Sequence, residues 1–197
     1  MTFKLGLTGS IGMGKSTTAK LFADLDCAVW DADAAVHRIY AKGGLAVASI
    51  STLFPEAIVD GAVCREQLKM VISADPEALK RIEEVVHPLV AADREAFLRE
   101  AAVDIAVLDI PLLFETGGDR NMDAVVCVTA PAEMQRQRVL DRGTMTEAQF
   151  EAILAKQMPD AEKRERSDYV IVTDTLEHAR EQVQAVVNDI RDKLNHA

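Results

Sequence analysis

The sequence predicts an α/β fold: a five-stranded parallel sheet with helices on both faces, together with a helical insert and a helical lid. Short apolar runs of strand length alternate with amphipathic helical segments along most of the chain, which is typical of a parallel sheet covered by crossover helices. A glycine-rich segment separates the first such strand from the first helix, and one long helical stretch interrupts the alternation.

Two strand–helix pairs open the chain. The apolar run 3–8 ends at a glycine and predicts a buried strand, and residues 14–25 follow with the spacing of an amphipathic helix. A second strand is predicted over 28–30, with a second helix continuing to Tyr40. Glycines and a proline punctuate residues 43–63, which are therefore predicted to be irregular.

A long helix is predicted to begin at Asp75-Pro76, because aspartate is a good N-cap and proline suits the first turn. Pro88 is expected to break or kink this helix just after His87, since proline lacks the N–H that an inner turn needs. The alternation then resumes, with strands predicted at 105–108, 125–129 and 169–172 and helices predicted from Pro131, from a capping box at 146–149 and over 176–194.

The bulk composition is that of an ordinary globular protein. The chain has 197 residues, 49% hydrophobic and 27% charged, and can bury a core without disulfides. Its formal net charge of −10 argues against general nucleic-acid binding, which depends on neutralising phosphates. No membrane-spanning run or secretory signal is predicted, and three scattered cysteines without metal-ligand spacing favour a reducing cytoplasm.

A phosphate-binding motif follows the first predicted strand. Residues 9–16 fit the P-loop pattern G-x-x-x-x-G-K-[ST] in its required strand-to-helix context. Glycines let successive backbone N–H groups point at phosphate oxygens, and the helix N-terminus adds positive potential. Lys15 is predicted to contact the outer phosphates, and the Ser16 hydroxyl to complete a Mg²⁺ shell. The predicted ATP-binding residues are Gly9, Gly12, Met13, Gly14, Lys15, Ser16 and Thr17.

Two missing signatures narrow the class of P-loop protein. The guanine-reading sequence N-K-x-D and the transporter signature L-S-G-G-Q do not occur in the chain. The chain is also short, with room for little beyond one core and one acceptor pocket. These observations favour a kinase acting on a small molecule, and a P-loop regulatory switch or ATP-sensing module is the alternative from another class.

Carboxylates at strand ends are the candidates for acceptor and metal chemistry. Asp31 and Asp33 follow the second strand, at the sheet edge where ligands bind in parallel α/β folds. We interpret Asp33 as the base that takes the proton of an acceptor hydroxyl, and Asp31 as a helix cap. His37, one turn after Asp33, is either an acceptor contact or an ordinary polar helix residue. Asp109 either holds a water on Mg²⁺ or simply ends a buried strand.

Arginines on the helix after the fourth strand are candidates for stabilising transferred charge. Arg142 ends this helix next to Gly143, where a mobile guanidinium could neutralise transition-state charge. Solvation at the surface is the alternative, and it applies more strongly to Arg136 and Arg138.

A series of motifs runs in order over residues 5–171. The motifs are L-T-G-S-I-G-M-G-K-S-T, D-A-D-A-A-V-H, V-V-H-P-L-V, L-D-I-P-L-L-F-E, R-Q-R-V-L-D-R, A-K-Q-M and S-D-Y-V-I. This series resembles the dephospho-CoA kinase family. The P-loop is generic, whereas the D-A-D, H-P-L and P-L-L-F-E blocks together are specific. The sequence departs from the family at 171–175, which reads I-V-T-D-T where the family usually reads I-D-N-[SG]-G.

The resemblance implies the last step of coenzyme A synthesis, in which ATP phosphorylates the 3′-hydroxyl of the dephospho-CoA ribose. It implies that Asp33 is the catalytic base and that Lys15 and Arg142 clamp phosphates. It also implies that the block 111–115 lies near the acceptor, with Leu113 and Glu115 as contacts, and that the loop 171–175 lies near adenine. A kinase for another nucleotide or nucleoside is the enzymatic alternative.

The same resemblance implies three parts. We expect a nucleotide-binding core from residues 1–63, 101–140 and 167–197, and a helical acceptor-binding insert from 64–100. We expect a lid over 141–166, because this segment is rich in long charged side chains and contains Pro159. Closure of such a lid over ATP would exclude water.

Overall fold

The computed structural model describes residues 2–196 and contains a five-stranded sheet of order β2-β5-β1-β6-β7. Strand β1 pairs in parallel with β5 and with β6, β6 pairs in parallel with β7, and β3 and β4 form a separate antiparallel hairpin. The strands are β1 (Phe3–Thr8), β2 (Ala28–Asp31), β3 (Ile58–Val59), β4 (Ala62–Val63), β5 (Ile105–Asp109), β6 (Ala124–Thr129) and β7 (Tyr169–Val172).

Helices connect these strands over most of the described chain. Two short 3₁₀ turns lie at Pro55–Ala57 and Gly118–Asn121. The α-helices are α1 (Lys15–Ala23), α2 (Ala32–Tyr40), α3 (Val47–Leu53), α4 (Arg65–Ala74), α5 (Ala78–Glu100), α6 (Ala132–Asp141), α7 (Glu147–Leu154), α8 (Asp160–Glu165) and α9 (Leu176–Asn195). No helix among residues 2–196 is both long and apolar enough to cross a bilayer.

The first of two compact units contains the central sheet; it comprises the chain up to Trp30 and from Ala101 onward. In this unit β1 lies between β5 and β6, with Leu5 opposite Val107 on one side and Ala124 on the other. All residues of β5 and β6 are buried, as expected for strands covered on both faces. The predicted α/β fold with a five-stranded parallel sheet is confirmed.

The second compact unit spans Asp31–Glu100 and has its own hydrophobic core. Ile39 of α2, Ile50 of α3 and Ile82 of α5 belong to one buried cluster. An ion pair also joins two of these helices, because Arg38 Nε donates to Asp93 Oδ2 at 3.1 Å. Three of its helices are therefore fixed by side chains that come from distant parts of the segment.

The prediction of an irregular connection over 43–63 was wrong. This stretch contains α3, a 3₁₀ turn and the β3–β4 hairpin, with Asp60 and Gly61 at the hairpin turn in positive φ. Ala46 and Ile50 are fully buried in the core of the second unit. A seven-residue helix shows too few turns for its periodicity to stand out, so tertiary burial rather than local pattern stabilises it.

Pro88 does not break α5, which continues from Ala78 to Glu100. The proline removes the hydrogen bond that the carbonyl of Glu84 would accept. Both Glu84 and Pro88 are exposed, so water can satisfy that carbonyl while the buried Val86 keeps the neighbouring turn packed. The helix also begins at Ala78 rather than at Asp75, and residues 65–74 form the separate helix α4.

The boundary of the second unit differs from the expected boundary of the insert. The sequence predicts an insert over 64–100, whereas the compact unit begins at Asp31. The reason is the shared core, since α2 and α3 bury their apolar faces with α5. The acceptor-binding role of 64–100 and the role of 141–166 as a lid stay predictions.

Candidate active site

The glycine-rich loop between β1 and α1 is folded as a phosphate cradle. Gly12 has a φ of 79° and Gly14 a φ of 91°, a region that only glycine adopts readily. A Cβ on Gly14 would lie 2.9 Å from Thr173 Oγ1, so the close approach of these two segments also requires glycine. Gly14 is the N-cap of α1 and offers no side chain to the first N–H groups of the helix. Those groups can therefore bind an anion.

Lys15 and Asp109 meet at this end of the sheet. The Lys15 ammonium donates to Asp109 Oδ1 in an ion pair. Asp109 is the last residue of β5 and is only 2% exposed, whereas the Lys15 side chain keeps 17% of its surface accessible. The pairing of Leu7 with Asp109 in the β1–β5 register explains this contact, because it sets the end of β5 beside the strand that leads into the cradle.

Ser16 and Asp109 are the predicted metal ligands. Ser16 is exposed in the first turn of α1, and a hydroxyl with a carboxylate is the donor chemistry that Mg²⁺ prefers. Among residues 2–196, no cluster of three or more His, Cys, Asp and Glu could hold a metal. The donor set thus fits a Mg²⁺ ion that the protein holds through one or two side chains while phosphates and water complete its shell.

A cavity of about 430 Å³ opens beside the cradle. Its volume lies within the range of small-molecule sites, and its wall carries two arginines and one aspartate. The lining residues are Gly14, Thr17, Thr18, Arg138, Asp141, Arg142, Thr173, Thr175, Leu176 and Ala179. The predicted residues Gly14, Thr17 and Arg142 thus share one cavity.

Thr173 connects the wall of this cavity to the cradle. Its hydroxyl donates to the carbonyl of Met13 at 2.7 Å and accepts from Arg138 Nη1 at 2.9 Å. Arg138 also donates to the carbonyl of Thr173. Of the two alternatives for Arg138, these contacts favour a place in the cavity wall over solvation at the surface. The departure at 171–175 was the available signal for Thr173, but no local pattern connects that loop to Arg138.

Arg142 is the C-cap residue of α6 and is exposed in the wall of the cavity. Gly143, with a φ of 63°, ends the helix behind it in the left-handed conformation that favours glycine. This geometry gives Arg142 access to the cavity without burial of its charge.

The carboxylates of the D-A-D block lie in the second unit, on α2. Asp31 is the N-cap, and its Oδ1 accepts the N–H of Ala34 at 2.9 Å, which confirms that it is a helix cap. Asp33 lies in the first turn and His37 one turn later, and both are exposed. The predicted site residues therefore belong to different units, with Asp33 and His37 in one and the phosphate-cradle residues in the other.

The block 111–115 follows β5 in the first unit. Leu113 is fully buried with Phe114 and Val125, so it is a packing residue here rather than an open acceptor contact. Glu115 Oε1 accepts from the N–H of Met158 at 2.9 Å and pairs with Lys163 Nζ at 2.9 Å.

The electrostatics of Glu115 follow from these contacts. Partial burial by itself raises the pKa of the Glu115 carboxyl, but the hydrogen bonds from Lys163 and Met158 outweigh it and hold the pKa below its usual range. Glu115 is thus a carboxylate at neutral pH. Sequence reasoning missed Lys163 as its partner, because the two residues lie far apart along the chain.

The parallel sheet, the phosphate cradle and the Lys15–Asp109 pair at the end of β5 define a phosphotransferase of the P-loop kinase class. The family model for dephospho-CoA kinase (CoaE) matches residues 3–178. The chain belongs to the dephospho-CoA kinase family, which is consistent with the final step of coenzyme A synthesis.

Individual relatives support the same assignment. A dephospho-CoA kinase of Ruegeria pomeroyi is 66% identical over 197 residues, covering 100% of both chains. A dephospho-CoA kinase of Cereibacter sphaeroides is 61% identical and covers 96% of each chain. The crystal structure of TT1252 from Thermus thermophilus superposes with a TM-score of 0.86 at 34% identity, covering 95% of this chain and 97% of that one.

Proposed function

We propose that this chain transfers the terminal phosphoryl group of Mg²⁺-bound ATP to the 3′-hydroxyl of the dephospho-CoA ribose, giving coenzyme A. The observation that carries the proposal is the preformed phosphate cradle. In this cradle, Gly12 and Gly14 curl the backbone and no side chain caps the N-terminus of α1. The Lys15 ammonium lies beside the cradle, where it is paired with Asp109. Family membership supplies the acceptor class.

On the donor side, the backbone N–H groups at the N-terminus of α1 and in the glycine-rich turn before it would bind the phosphates of ATP, whereas the N–H of Ile11 is held by Gln157. Lys15 would exchange Asp109 for the outer phosphates, where its charge opposes the charge that develops on the transferred group. Ser16 and Asp109 would hold Mg²⁺, directly or through water. When bound, this ion neutralises phosphate charge.

On the acceptor side, Asp33 would accept the proton of the attacking hydroxyl. A ribose hydroxyl is a poor nucleophile, and a carboxylate within hydrogen-bond reach both orients it and takes its proton. His37 and Glu115 would contact the acceptor. Arg142, exposed in the cavity wall, would stabilise the transferred phosphoryl group as the lid closes.

The nucleotide base would occupy the cavity beside Thr173 and Thr175. These residues stand in the loop where the chain departs from the usual family sequence, so their side chains would contribute to base preference. We further propose a reducing cytoplasm as the site of action, since Cys27, Cys64 and Cys127 are all free thiols.

Acceptor-dependent ADP release tests the proposal. Purified protein with Mg²⁺-ATP should release ADP rapidly with dephospho-CoA and slowly without it, and ³¹P NMR of the product should show a new 3′-phosphomonoester. AMP and adenosine serve as competing acceptors. Slow hydrolysis that is indifferent to every acceptor would instead identify a regulatory switch. Faster turnover with AMP or adenosine would identify another nucleotide or nucleoside kinase.

A further inference from the structure

The segment 157–166, which is the last part of the expected lid and is here called the clamp, contacts the phosphate cradle at Ile11. This contact leaves the expected closure to residues 141–156. Gln157 Oε1 accepts the N–H of Ile11 at 3.1 Å. The carbonyl of Ile11 accepts a hydrogen bond from Gln135 Nε2 at 2.7 Å. Two glutamines from outside the loop therefore fix the backbone of Ile11 on both sides, within the stretch that must hold its shape to bind phosphates.

The clamp also contacts the loop that follows β5. Lys163 Nζ pairs with Glu115 and donates to the carbonyl of Pro111 at 3.2 Å. The N–H of Met158 donates to the same Glu115 oxygen. Arg166 stacks over the Phe114 ring at 4.6 Å from its centroid. Three clamp residues thus fix one five-residue block.

The burial of Lys163 is the unusual feature of this arrangement. Its side chain is fully buried in the structure, and an ammonium removed from water is costly unless it is paired and hydrogen-bonded. A hydrophobic residue of similar volume is often equally stabilising at such a position. Unlike apolar packing, the bonds of Lys163 to Glu115 and to the carbonyl of Pro111 are directional, so they act on the orientation of this loop.

We propose that Gln157 and Lys163 are positioning residues through which one short segment holds the phosphate cradle and the 111–115 loop in a fixed relationship. The inference rests on the proposed function, which assigns the donor to the cradle and the acceptor to the loop. In-line transfer needs reacting atoms about 3–3.5 Å apart, so a rigid link between the two loops contributes directly to alignment. It also explains the A-K-Q-M motif, since Gln157 and Met158 each contact one of the two loops.

The test compares Gln157→Met and Lys163→Met with the surface control Lys20→Met, whose side chain is exposed on α1. We measure ATP affinity by calorimetry, and kcat and the KM for dephospho-CoA in the ADP-release assay. Gln157→Met should weaken ATP binding about three- to tenfold through the lost hydrogen bond, with little change in the acceptor KM. Lys163→Met should lower kcat about tenfold or more, with ATP affinity near that of the parent.

The double variant Lys163→Met/Glu115→Gln separates positioning from mere stability. In Lys163→Met the Glu115 carboxylate loses its cationic partner. The second substitution removes that charge, so the double variant should recover thermal stability. Because Glu115 is also a proposed acceptor contact, the double variant is compared with Glu115→Gln alone, and a positioning role predicts that kcat of the double variant lies well below kcat of the single variant. A double variant with the kcat of Glu115→Gln, or equal effects of Gln157→Met on ATP and acceptor, would overturn the proposal.

Failure of the proposed function would look different. In that case the parent protein itself would show no dephospho-CoA-dependent turnover, whatever the clamp does. The measurement of ATP affinity would still decide the role of Gln157. An ATP affinity of Gln157→Met equal to that of the parent would contradict the positioning role of Gln157, whatever the acceptor is.

Discussion

The ammonium of Lys15 is ion-paired with the carboxylate of Asp109, across a separation of 94 residues in the sequence. Each of these groups has its own expected task, the lysine on phosphates and the aspartate near Mg²⁺. Without nucleotide they neutralise each other at the end of the sheet. If both tasks are as proposed, binding of Mg²⁺-ATP would exchange this one ion pair for two ligand contacts.

Replacement of Lys15 by alanine should abolish turnover. One electrostatic contact to developing charge is commonly worth about two to three orders of magnitude in rate. The lost charged hydrogen bond to Asp109 should also lower the free energy of unfolding by about 1.5–3 kcal/mol. Turnover, circular dichroism and chemical denaturation check this, with Lys20→Ala as the control on α1. Near-native turnover with a native spectrum would remove Lys15 from the phosphate site.

Replacement of Asp33 by asparagine should leave ATP affinity within a few-fold of the parent and lower transfer by about two to four orders of magnitude, because the amide is not basic. Asp31→Asn is the matched control, since asparagine caps a helix as well as aspartate does. Calorimetry and acceptor-dependent turnover are measured for both. An active Asp33→Asn beside an inactive Asp31→Asn would assign the base to the other carboxylate.

Replacement of Arg142 by methionine should lower kcat about a hundredfold or more through the lost transition-state charge, with a smaller effect on ATP affinity. Arg180→Met is the control, because Arg180 is exposed on α9 and its 3.7 Å pair with Glu177 is a surface contact of little energetic weight. Single-turnover rates with saturating ATP distinguish the two variants. Equal rates would make Arg142 a solvated surface residue.

Replacement of Thr173 by valine should weaken nucleotide binding about two- to tenfold. Valine keeps the shape but cannot donate to Met13 or accept from Arg138, and each such bond is worth about 0.5–1.5 kcal/mol. Affinities for ATP and GTP, measured side by side, also show whether the base preference changes. An affinity equal to that of the parent for both nucleotides would mean that the loop only lines the cavity.

Limited proteolysis tests the lid. In the protein without ligands, trypsin should cut at Arg142 and Lys156 in preference to Lys163, because the clamp is bonded to the cradle and to the 111–115 loop. ATP and dephospho-CoA together should slow cleavage at the first two sites if the lid closes over both substrates. Equal rates in the free and fully liganded protein would argue against closure.

The fold was predictable wherever local pattern and burial agree. Local patterns predicted three elements directly. They are the apolar run of β1, the capping box of α7 and the apolar stripe of α9, most of whose residues are buried. The irregular reading of 43–63 failed because α3 is too short to reveal its period and is held by partners from elsewhere in the second unit. For the opposite reason, the expected break at Pro88 does not occur, because the packing of the long helix α5 outweighs the local preference against an inner proline.

The sequence by itself determined the chemistry: a glycine-rich turn followed by Lys15 and Ser16, and carboxylates placed at strand ends. Such motifs are local because phosphate is bound by consecutive backbone N–H groups. Only the tertiary structure decided which side chains meet across the chain. It paired Lys15 with Asp109, set Arg138 on Thr173 and buried Lys163 against Glu115. These contacts join residues from different elements. The register of the sheet and the packing of helices on it bring the side chains within bonding distance, and no local sequence pattern encodes that.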